Sequence, residues 1–268
     1  MKRFQLDGDV AVVTGALGRL GPVWAEALLG AGAGVLALDL ETARPGPEFL
    51  ALQESVAPDR LCLVRADVRE RASVEDALEV CRSQLGLPTV LVNNAGIDRP
   101  PAPSPTTRLE DVPLAEVLSV FEVNVGGALV ATQVFGGAMV AEGRGSIVNI
   151  GSIYASRSPD PRFYDHLPLD PPFLKPPAYG SSKAAVVNLT RYFAAHWGPL
   201  GVRVNALSPG GVAGGQDPVF VEKYSARVPM RRLAVPADLG GPLVFLASEA
   251  SSYVNGIDLK VDGGFSAW

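Results

Sequence analysis

Short apolar segments rich in β-branched residues alternate with longer helical patterns along the chain. The predicted strands cover residues 10–14, 35–39, 61–64, 90–92, 146–150, 202–207 and 257–261. The predicted helices cover residues 20–31, 47–56, 73–85, 113–140, 178–198 and 236–248, with irregular chain between the sixth strand and the last helix. Because the strands are almost continuously apolar, this alternation predicts a parallel sheet covered by helices on both faces, the doubly wound α/β architecture.

One sheet of this kind accounts for the 268 residues. A chain of this size buries roughly 70–75% of its extended surface, and 47% of its residues are apolar, so a sizeable core is expected. The proline-rich stretches 100–105 and 159–177 each follow a predicted strand, and a domain boundary there would leave half-sheets with exposed edges. We therefore expect a single domain over residues 1–268, with a Rossmann fold.

The composition and the start of the sequence limit which partners and which compartment we expect for the protein. A formal charge of −5 without a cluster of Lys and Arg argues against a nucleic-acid surface. Cys62 and Cys81 have no further thiol or histidine at ligand spacing, so no metal site is expected and both thiols are read as core residues. The start lacks a secretory pattern, which predicts the cytoplasm. The uncharged stretch 123–141 contains polar residues, which indicates a buried helix and no membrane span.

A glycine-rich segment follows the first predicted strand and leads into a helix. It reads Thr14-Gly15-Ala16-Leu17-Gly18-Arg19-Leu20-Gly21. Glycines let the backbone turn sharply and approach a pyrophosphate at the N-terminus of the helix. An ordinary strand–helix turn is the alternative, but the strand before and the helix after favour a dinucleotide site.

The second predicted strand ends in a carboxylate, Asp39. At this position a carboxylate can accept hydrogen bonds from the hydroxyls of an adenosine ribose and repel a 2′-phosphate. This favours NAD over NADP. Arg19 and Arg44 lie in adjacent loops, so a cation that tolerates the phosphate is also available.

Tyr179 and Lys183 are four residues apart in a predicted helix, which stacks a phenol and an ammonium on one face. A cation close to a phenol favours the phenolate and brings its pKa towards neutrality. The pair therefore predicts a group that exchanges a proton with a substrate. Taken alone, the same spacing is also typical of two solvated side chains on an amphipathic helix.

Several motifs occur together in a fixed order. They are the glycine turn, Asp67-Val68, Asn93-Asn94-Ala95-Gly96, Asn124, Ser152, Tyr179 with Lys183, and Ser208-Pro209-Gly210-Gly211, followed near the end by Asp262-Gly263-Gly264. In this order the chain resembles the compact, single-domain branch of the short-chain dehydrogenase/reductase family. The resemblance implies an NAD(P)-dependent enzyme that acts on CH–OH groups.

The resemblance also implies a role for individual residues. Tyr179 would exchange the proton of the substrate oxygen, Lys183 would lower the pKa of that phenol and hold the nicotinamide ribose, and Ser152 would hydrogen-bond the substrate oxygen. Asn124 would anchor a water that passes protons onward. The residues expected at the cofactor are Gly15, Gly18, Arg19, Leu20, Asp39, Asp67, Val68, Asn93, Ala95, Gly96, Tyr179, Lys183, Pro209, Gly210 and Val212.

Three departures from the family pattern concern the cofactor and the substrate. Arg19 occupies a position where the branch usually has glycine, and Gly214 stands in place of a threonine that contacts the carboxamide. The segment 157–177 is an insertion beside the catalytic serine. It either contacts a polyol, sugar or sugar derivative, or packs on a neighbouring subunit. His166 within it is expected to be an exposed loop residue.

We therefore expect an NAD-dependent oxidoreductase that interconverts a secondary alcohol and a ketone on a polar, hydroxylated small molecule. An NADPH-dependent 3-ketoacyl thioester reductase is an alternative, and it would need a basic residue where Asp39 stands. A non-catalytic NAD-sensing regulator is a third reading. The tyrosine–lysine spacing counts against an enoyl reductase. The resemblance further implies a homotetramer.

Overall fold

Seven parallel strands form one sheet in this computed structural model, which describes residues 2–98 and 107–268. The strands are β1 Val10–Thr14, β2 Gly34–Asp39, β3 Leu61–Arg65, β4 Val90–Asn93, β5 Gly145–Ile150, β6 Val202–Pro209 and β7 Asp258–Val261. Their spatial order is β3-β2-β1-β4-β5-β6-β7. The predicted strands and their parallel arrangement are thereby confirmed. The predicted loop at 100–105 lies outside the described residues.

Helices cover both faces of this sheet. They are α1 Gly21–Gly30, α2 Pro47–Ser55, α3 Arg71–Gln84, α4 Leu114–Ala141, α5 Pro177–Trp197, α6 Pro218–Arg227 and α7 Ala237–Ala247. One core layer packs α1, α2 and α7 on the sheet through Trp24, Phe49 and Leu243. The other packs α3, α4 and α5 through Phe135 and Phe193 on the opposite face. The strands are apolar on both sides because both faces are buried.

The helix α6 lies where the sequence analysis expected irregular chain, so that prediction is wrong. Asp217 caps it by accepting hydrogen bonds from the backbone of Val219 and Phe220, and Pro218 occupies the first helical position. Both are recognised signals for a helix start. The signal was therefore present in the sequence, but the surrounding glycines and prolines favoured a loop.

From the centre of the sheet, β1, β2 and β3 follow one another to one side, and β4, β5, β6 and β7 follow one another to the other side. The order of the strands therefore switches sides between β1 and β4, while all strands stay parallel. In an open parallel sheet the crevice outside the carboxyl ends at such a point is where ligands bind. The loops that leave β1, β2, β4, β5 and β6 all emerge at this edge. The topology thus places the glycine turn, Asp39 and Ser152 around one crevice.

The long helix α4 contains two π-helical stretches, Glu122–Gly127 and Thr132–Gly136. It is the one helix in the described part of the chain whose length and composition would allow it to cross a membrane, a test that core helices of globular proteins also pass. Only 22% of its most apolar window is buried within this chain, and Leu114 and Leu118 are exposed. These two leucines precede the stretch 123–141, in which Asn124, Phe135 and Met139 are buried. That this stretch is a buried helix at a domain or subunit surface therefore stays a prediction.

Candidate active site

A cavity of about 1170 Å³ opens at the carboxyl edge of the sheet. Its volume exceeds the roughly 300–1,000 Å³ of a typical small-molecule pocket, which leaves room for a dinucleotide and a second small molecule. Its walls include the sequence-predicted residues Gly15, Gly18, Arg19, Leu20, Asp39, Asp67, Val68, Ala95, Gly96, Ser152, Tyr179, Lys183, Pro209, Gly210 and Val212. The structure therefore brings together all of the predicted site residues except Asn93 and Asn124.

The glycine turn has the backbone shape that a phosphate site needs. Gly15 has a φ of 64°, and a Cβ built there would lie 2.7 Å from the Cα of Ala95, so a larger residue does not fit. The first turn of α1 has no side-chain cap, but the Gly21 N–H donates to the Gly18 carbonyl and Pro22 has no N–H, so only part of the N-terminal amide set is left for an anion. These features fit a pyrophosphate at the N-terminus of α1.

Asp39 joins the end of β2 to the glycine turn. Its Oδ2 accepts a hydrogen bond from the backbone N–H of Leu17 at 2.7 Å, and its Oδ1 accepts one from that of Leu40 at 2.8 Å. Each carboxylate oxygen has a further lone pair for a ribose hydroxyl. The negative charge at this wall opposes a 2′-phosphate, while Arg44 on the same wall would favour one.

Asn94 holds the loop after β4 against the glycine turn, a role that the sequence analysis did not assign. Its Nδ2 donates to the carbonyls of Thr14 and Gly15, at 3.1 and 2.9 Å. Its Oδ1 accepts from the indole N–H of Trp24 at 2.8 Å. This half-buried amide, with its donors and acceptor satisfied, fixes the relative position of two walls of the cavity.

Ser152, Tyr179 and Lys183 meet at the opposite end of the cavity. Ser152 follows β5, and its hydroxyl accepts from the backbone N–H of Tyr154 at 3.1 Å. Pro177 starts α5, so Tyr179 lies in the first turn of that helix and Lys183 one turn later. The buried Lys183 ammonium donates to the Ile150 carbonyl at 2.7 Å. A hydroxyl, a phenol and an ammonium thus surround one small volume.

Burial at this end of the cavity shifts the pKa values of Tyr179 and Lys183. Desolvation raises the pKa of Tyr179 well above its usual range, with Asp98 adding to the rise and Ser152 opposing it. Desolvation also lowers the pKa of Lys183 to about 8. Desolvation of the phenolate is the dominant influence on the Tyr179 pKa, and the Lys183 ammonium lies 5.9 Å from the ring centre. Tyr179 is therefore a phenol at neutral pH. That Lys183 lowers this pKa stays a prediction.

Asn124 does not line the cavity. Its Oδ1 accepts from the N–H of Ile97 at 2.7 Å, and its Nδ2 donates to the carbonyl of Ile97 and to the hydroxyl of Ser182. The side-chain amide therefore bonds protein groups through its oxygen and its nitrogen, and the water that Asn124 was expected to anchor stays a prediction. It fixes the loop after β4 against α5, close to the catalytic group.

Asn93 also lies away from the cavity, which corrects its expected place along the cofactor ribose. Its Nδ2 donates to Asn149 Oδ1 at 2.7 Å and to Thr132 Oγ1 at 2.9 Å, within the layer between the sheet and α4. As the last residue of β4 it points to the core face, because alternate residues of a strand face opposite sides.

The insertion 157–177 forms part of the cavity wall, chiefly through residues that the sequence analysis did not assign to the site. They are Tyr164, His166, Leu167 and Lys175. The wall also includes Asp98, Tyr154, Asp217, Phe220 and Tyr224. An aromatic cluster anchors the insertion to α6, with Tyr164 stacked on Phe220 at 5.3 Å between ring centres. The expectation that His166 is an exposed loop residue is wrong, because it is half-buried and lies 2.8 Å from Asp217.

The described residues contain no cluster of His, Cys, Asp or Glu able to hold a metal ion.

Comparison with known proteins places the chain in a family. The short chain dehydrogenase model matches residues 9–164, and a model described as Enoyl-(Acyl carrier protein) reductase matches residues 171–266. A galactitol 2-dehydrogenase (L-tagatose-forming) of Cereibacter sphaeroides is 35% identical, with 99% of this chain and 98% of the relative covered.

Two solved structures have the same fold. A gluconate 5-dehydrogenase from Burkholderia cenocepacia J2315, in complex with NADP and tartrate, has a TM-score of 0.83 and 29% identity over 100% of this chain and 98% of that one. A short chain dehydrogenase from Leptospira borgpetersenii with bound NAD⁺ has a TM-score of 0.82 and 31% identity, over 98% and 94% of the two chains. The chain belongs to the short-chain dehydrogenase/reductase family, as an oxidoreductase that binds a nicotinamide cofactor and acts on CH–OH groups.

Proposed function

We propose that this protein is an NAD-dependent dehydrogenase that interconverts a secondary alcohol and a ketone on a polyol, a sugar or a related hydroxylated molecule. The observation that carries the proposal is the meeting of Ser152, Tyr179 and Lys183 at one end of a cavity whose other end holds the glycine turn and Asp39. Galactitol, the substrate in the name of one relative, is a molecule of this class.

Each residue of the site has a separate role at the reacting carbon and its oxygen. When bound, the nicotinamide ring supplies the partner for hydride transfer. Tyr179 exchanges the proton on the substrate oxygen, and Ser152 hydrogen-bonds that oxygen and steadies the charge that develops on it. Lys183 holds the ribose and stabilises negative charge on the phenol. Asn124 acts as a positioning residue, because it holds Ile97 beside this group.

The test follows formation of reduced cofactor with galactitol, D-arabinitol, simple secondary alcohols and D-gluconate, with Tyr179→Phe as the blank. Tyr179-dependent turnover of a hydroxylated substrate supports the dehydrogenase. Tight NAD binding without turnover across this panel supports the NAD-sensing regulator instead.

Asp39 supports the choice of NAD over NADP. We expect Asp39→Asn to lower the ratio of kcat/KM for NAD to that for NADP by about tenfold, because the charge that repels a 2′-phosphate is removed. Asparagine keeps an acceptor for the N–H of Leu17, so the glycine turn retains its anchor. Steady-state kinetics with both cofactors measures the ratio. An unchanged ratio would contradict the role of Asp39, and a wild-type preference for NADP would support the thioester reductase.

The raised pKa of Tyr179 predicts a pH dependence. Alcohol oxidation needs the phenolate, whose fraction rises tenfold per pH unit below the pKa, so kcat/KM should rise from about pH 6. The slope should fall above pH 8, because Lys183, with a pKa of about 8, then loses its charge. Ketone reduction, which uses the phenol, should not rise with pH. The measurement is kcat/KM against pH for alcohol oxidation and for ketone reduction, with cofactor affinity at each pH as the control. An oxidation rate that is flat from pH 6 to 8 would contradict the prediction.

We also propose that the chain works as a single domain in the cytoplasm and assembles as a homotetramer. Two free thiols, Cys62 and Cys81, suit a reducing compartment. The exposed apolar positions Leu114 and Leu118 on α4 support assembly, because a partner subunit would cover them. Light scattering at micromolar concentration tests the assembly, and a monomeric mass would refute it.

A further inference from the structure

A partly buried ion pair lies beside the catalytic tyrosine, between two segments that are distant in sequence. The Lys175 ammonium is 2.8 Å from Oδ1 and 2.9 Å from Oδ2 of Asp98. It also lies 5.2 Å from the ring centre of Tyr179 and 5.8 Å from that of Tyr154. All four side chains line the cavity. The Lys175 side chain is only 7% exposed, whereas Asp98 is 42% exposed and open to the cavity.

The backbone is restrained at both residues of this ion pair. Lys175 precedes Pro176 and Pro177, and Pro177 is the first residue of α5, so the backbone of Lys175 is confined to extended conformations. Asp98 follows Ile97, which Asn124 grips through two hydrogen bonds. The pair is thus built into the site, unlike a surface ion pair between two flexible side chains.

The pair is not needed as the proton-exchanging group, although the charge of Asp98 adds to the rise in the pKa of Tyr179. Ser152, Tyr179 and Lys183 supply the groups needed at the reacting oxygen. A partly buried ion pair is a weak contributor to stability, because desolvation of its charges offsets their attraction. Its placement in the cavity therefore suggests a contact with the substrate.

Both partners keep hydrogen-bonding capacity for a ligand. An ammonium has three N–H donors, and the two oxygens of Asp98 use at most two of them. A carboxylate has about four lone pairs, of which the ion pair uses two. The pair thus offers both a donor and acceptors at short range, which matches hydroxyl groups, since each hydroxyl both donates and accepts.

Lys175 and His166, at this end of the cavity, already have carboxylate partners. Lys175 is neutralised by Asp98, and His166 lies 2.8 Å from Asp217. Lys183 is the remaining basic side chain there within residues 2–98 and 107–268, and it is directed to the Ile150 carbonyl. Among these residues, a carboxylate on the substrate would find Lys183 alone without a carboxylate partner, and it would face the exposed carboxylate of Asp98.

We propose that the Asp98–Lys175 pair is a specificity determinant that selects neutral polyols and ketoses over sugar acids. This inference rests on the proposed function and names its substrate class. Lys175 donates to, and Asp98 accepts from, hydroxyls next to the reacting carbon. Asp98 excludes the acid by like-charge repulsion and by keeping Lys175 neutralised.

The test compares substrates that differ only at a terminal carbon. The pairs are galactitol with D-galactonate and D-glucitol with D-gluconate, each assayed with the preferred cofactor. For the wild type we expect kcat/KM to be at least about tenfold higher for the polyol of at least one pair. Asp98→Asn should shift the polyol-to-acid ratio at least about tenfold towards the acid, because Lys175 loses its counter-charge. Lys175→Met should raise KM for the polyol and leave the affinity for NAD unchanged.

Asp160→Asn is the matched control. Asp160 forms an ion pair with Arg162 at 2.6 Å within the same insertion but does not line the cavity, so this variant should keep the wild-type ratio. A wild-type preference for the acids, or a ratio that Asp98→Asn leaves unchanged, would overturn the role of the pair while the dehydrogenase stands. Calorimetric binding of the same pairs to cofactor-loaded Tyr179→Phe reads the selection without turnover. Equal or tighter binding of the acids would also overturn it.

Absence of Tyr179-dependent turnover on all four compounds and on the wider alcohol panel would instead count against the proposed function. The binding comparison still decides whether this end of the cavity prefers the polyol.

Discussion

Tyr179→Phe should lower turnover on the order of 10³-fold while cofactor affinity stays within about twofold of the wild type. Phenylalanine keeps the ring and its packing but removes the hydroxyl that exchanges a proton with the substrate. The ring lies beside Lys183 and Lys175, so the loss of the hydroxyl leaves both cations in place. Steady-state kinetics together with calorimetric titration of cofactor measures the two quantities.

Tyr192→Phe is the matched control for this experiment. Tyr192 lies on the same helix α5 but is 61% exposed and outside the cavity, so its variant should keep full activity. Retention of more than about a tenth of wild-type turnover by Tyr179→Phe would show that another group exchanges the proton.

Gly21→Ala should destabilise the protein by about 3 kcal/mol and weaken cofactor binding. A Cβ at this first position of α1 would overlap the backbone carbonyl of Ala16, which cannot move without the glycine turn. The turn lines the cavity, so the displacement should reach the pyrophosphate site. Urea unfolding measures the loss of stability, and calorimetry measures the affinity for NAD.

Gly30→Ala provides the comparison within the same helix. A Cβ at Gly30 meets no atom within 4 Å, so alanine there should be neutral or stabilise by up to about 1 kcal/mol. Equal stabilities of the two variants would contradict a close contact between α1 and the glycine turn.

The sheet could be predicted from sequence because the patterns that mark its strands and helices are local ones. Apolar runs mark the strands, and the helical patterns between them require parallel crossovers, which leaves one edge for the ligand. The Gly15 turn was identified because it follows a strand directly, and Asp39 because it ends one. Tyr179 and Lys183 were identified because four-residue spacing on a helix fixes their proximity.

The substrate end could not be predicted because its contacts join residues far apart in sequence. Asp98 and Lys175 are 77 positions apart, and His166 and Asp217 are 51 positions apart. The path of the insertion depends on aromatic packing such as that of Tyr164 on Phe220, which no local pattern encodes. The direction of the Tyr179 pKa shift likewise depends on burial, which is a property of the assembled cavity.

The most direct test of alcohol–ketone interconversion is the stoichiometry of product and reduced cofactor. The enzyme would be incubated with limiting NAD and excess of the best polyol from the panel, and the ketose would be quantified by mass spectrometry beside the absorbance of NADH. The proposed dehydrogenase predicts one ketose per NADH, and neither product with Tyr179→Phe. Bound NAD that stays oxidised, or NADH formed without a matching ketone, would contradict it.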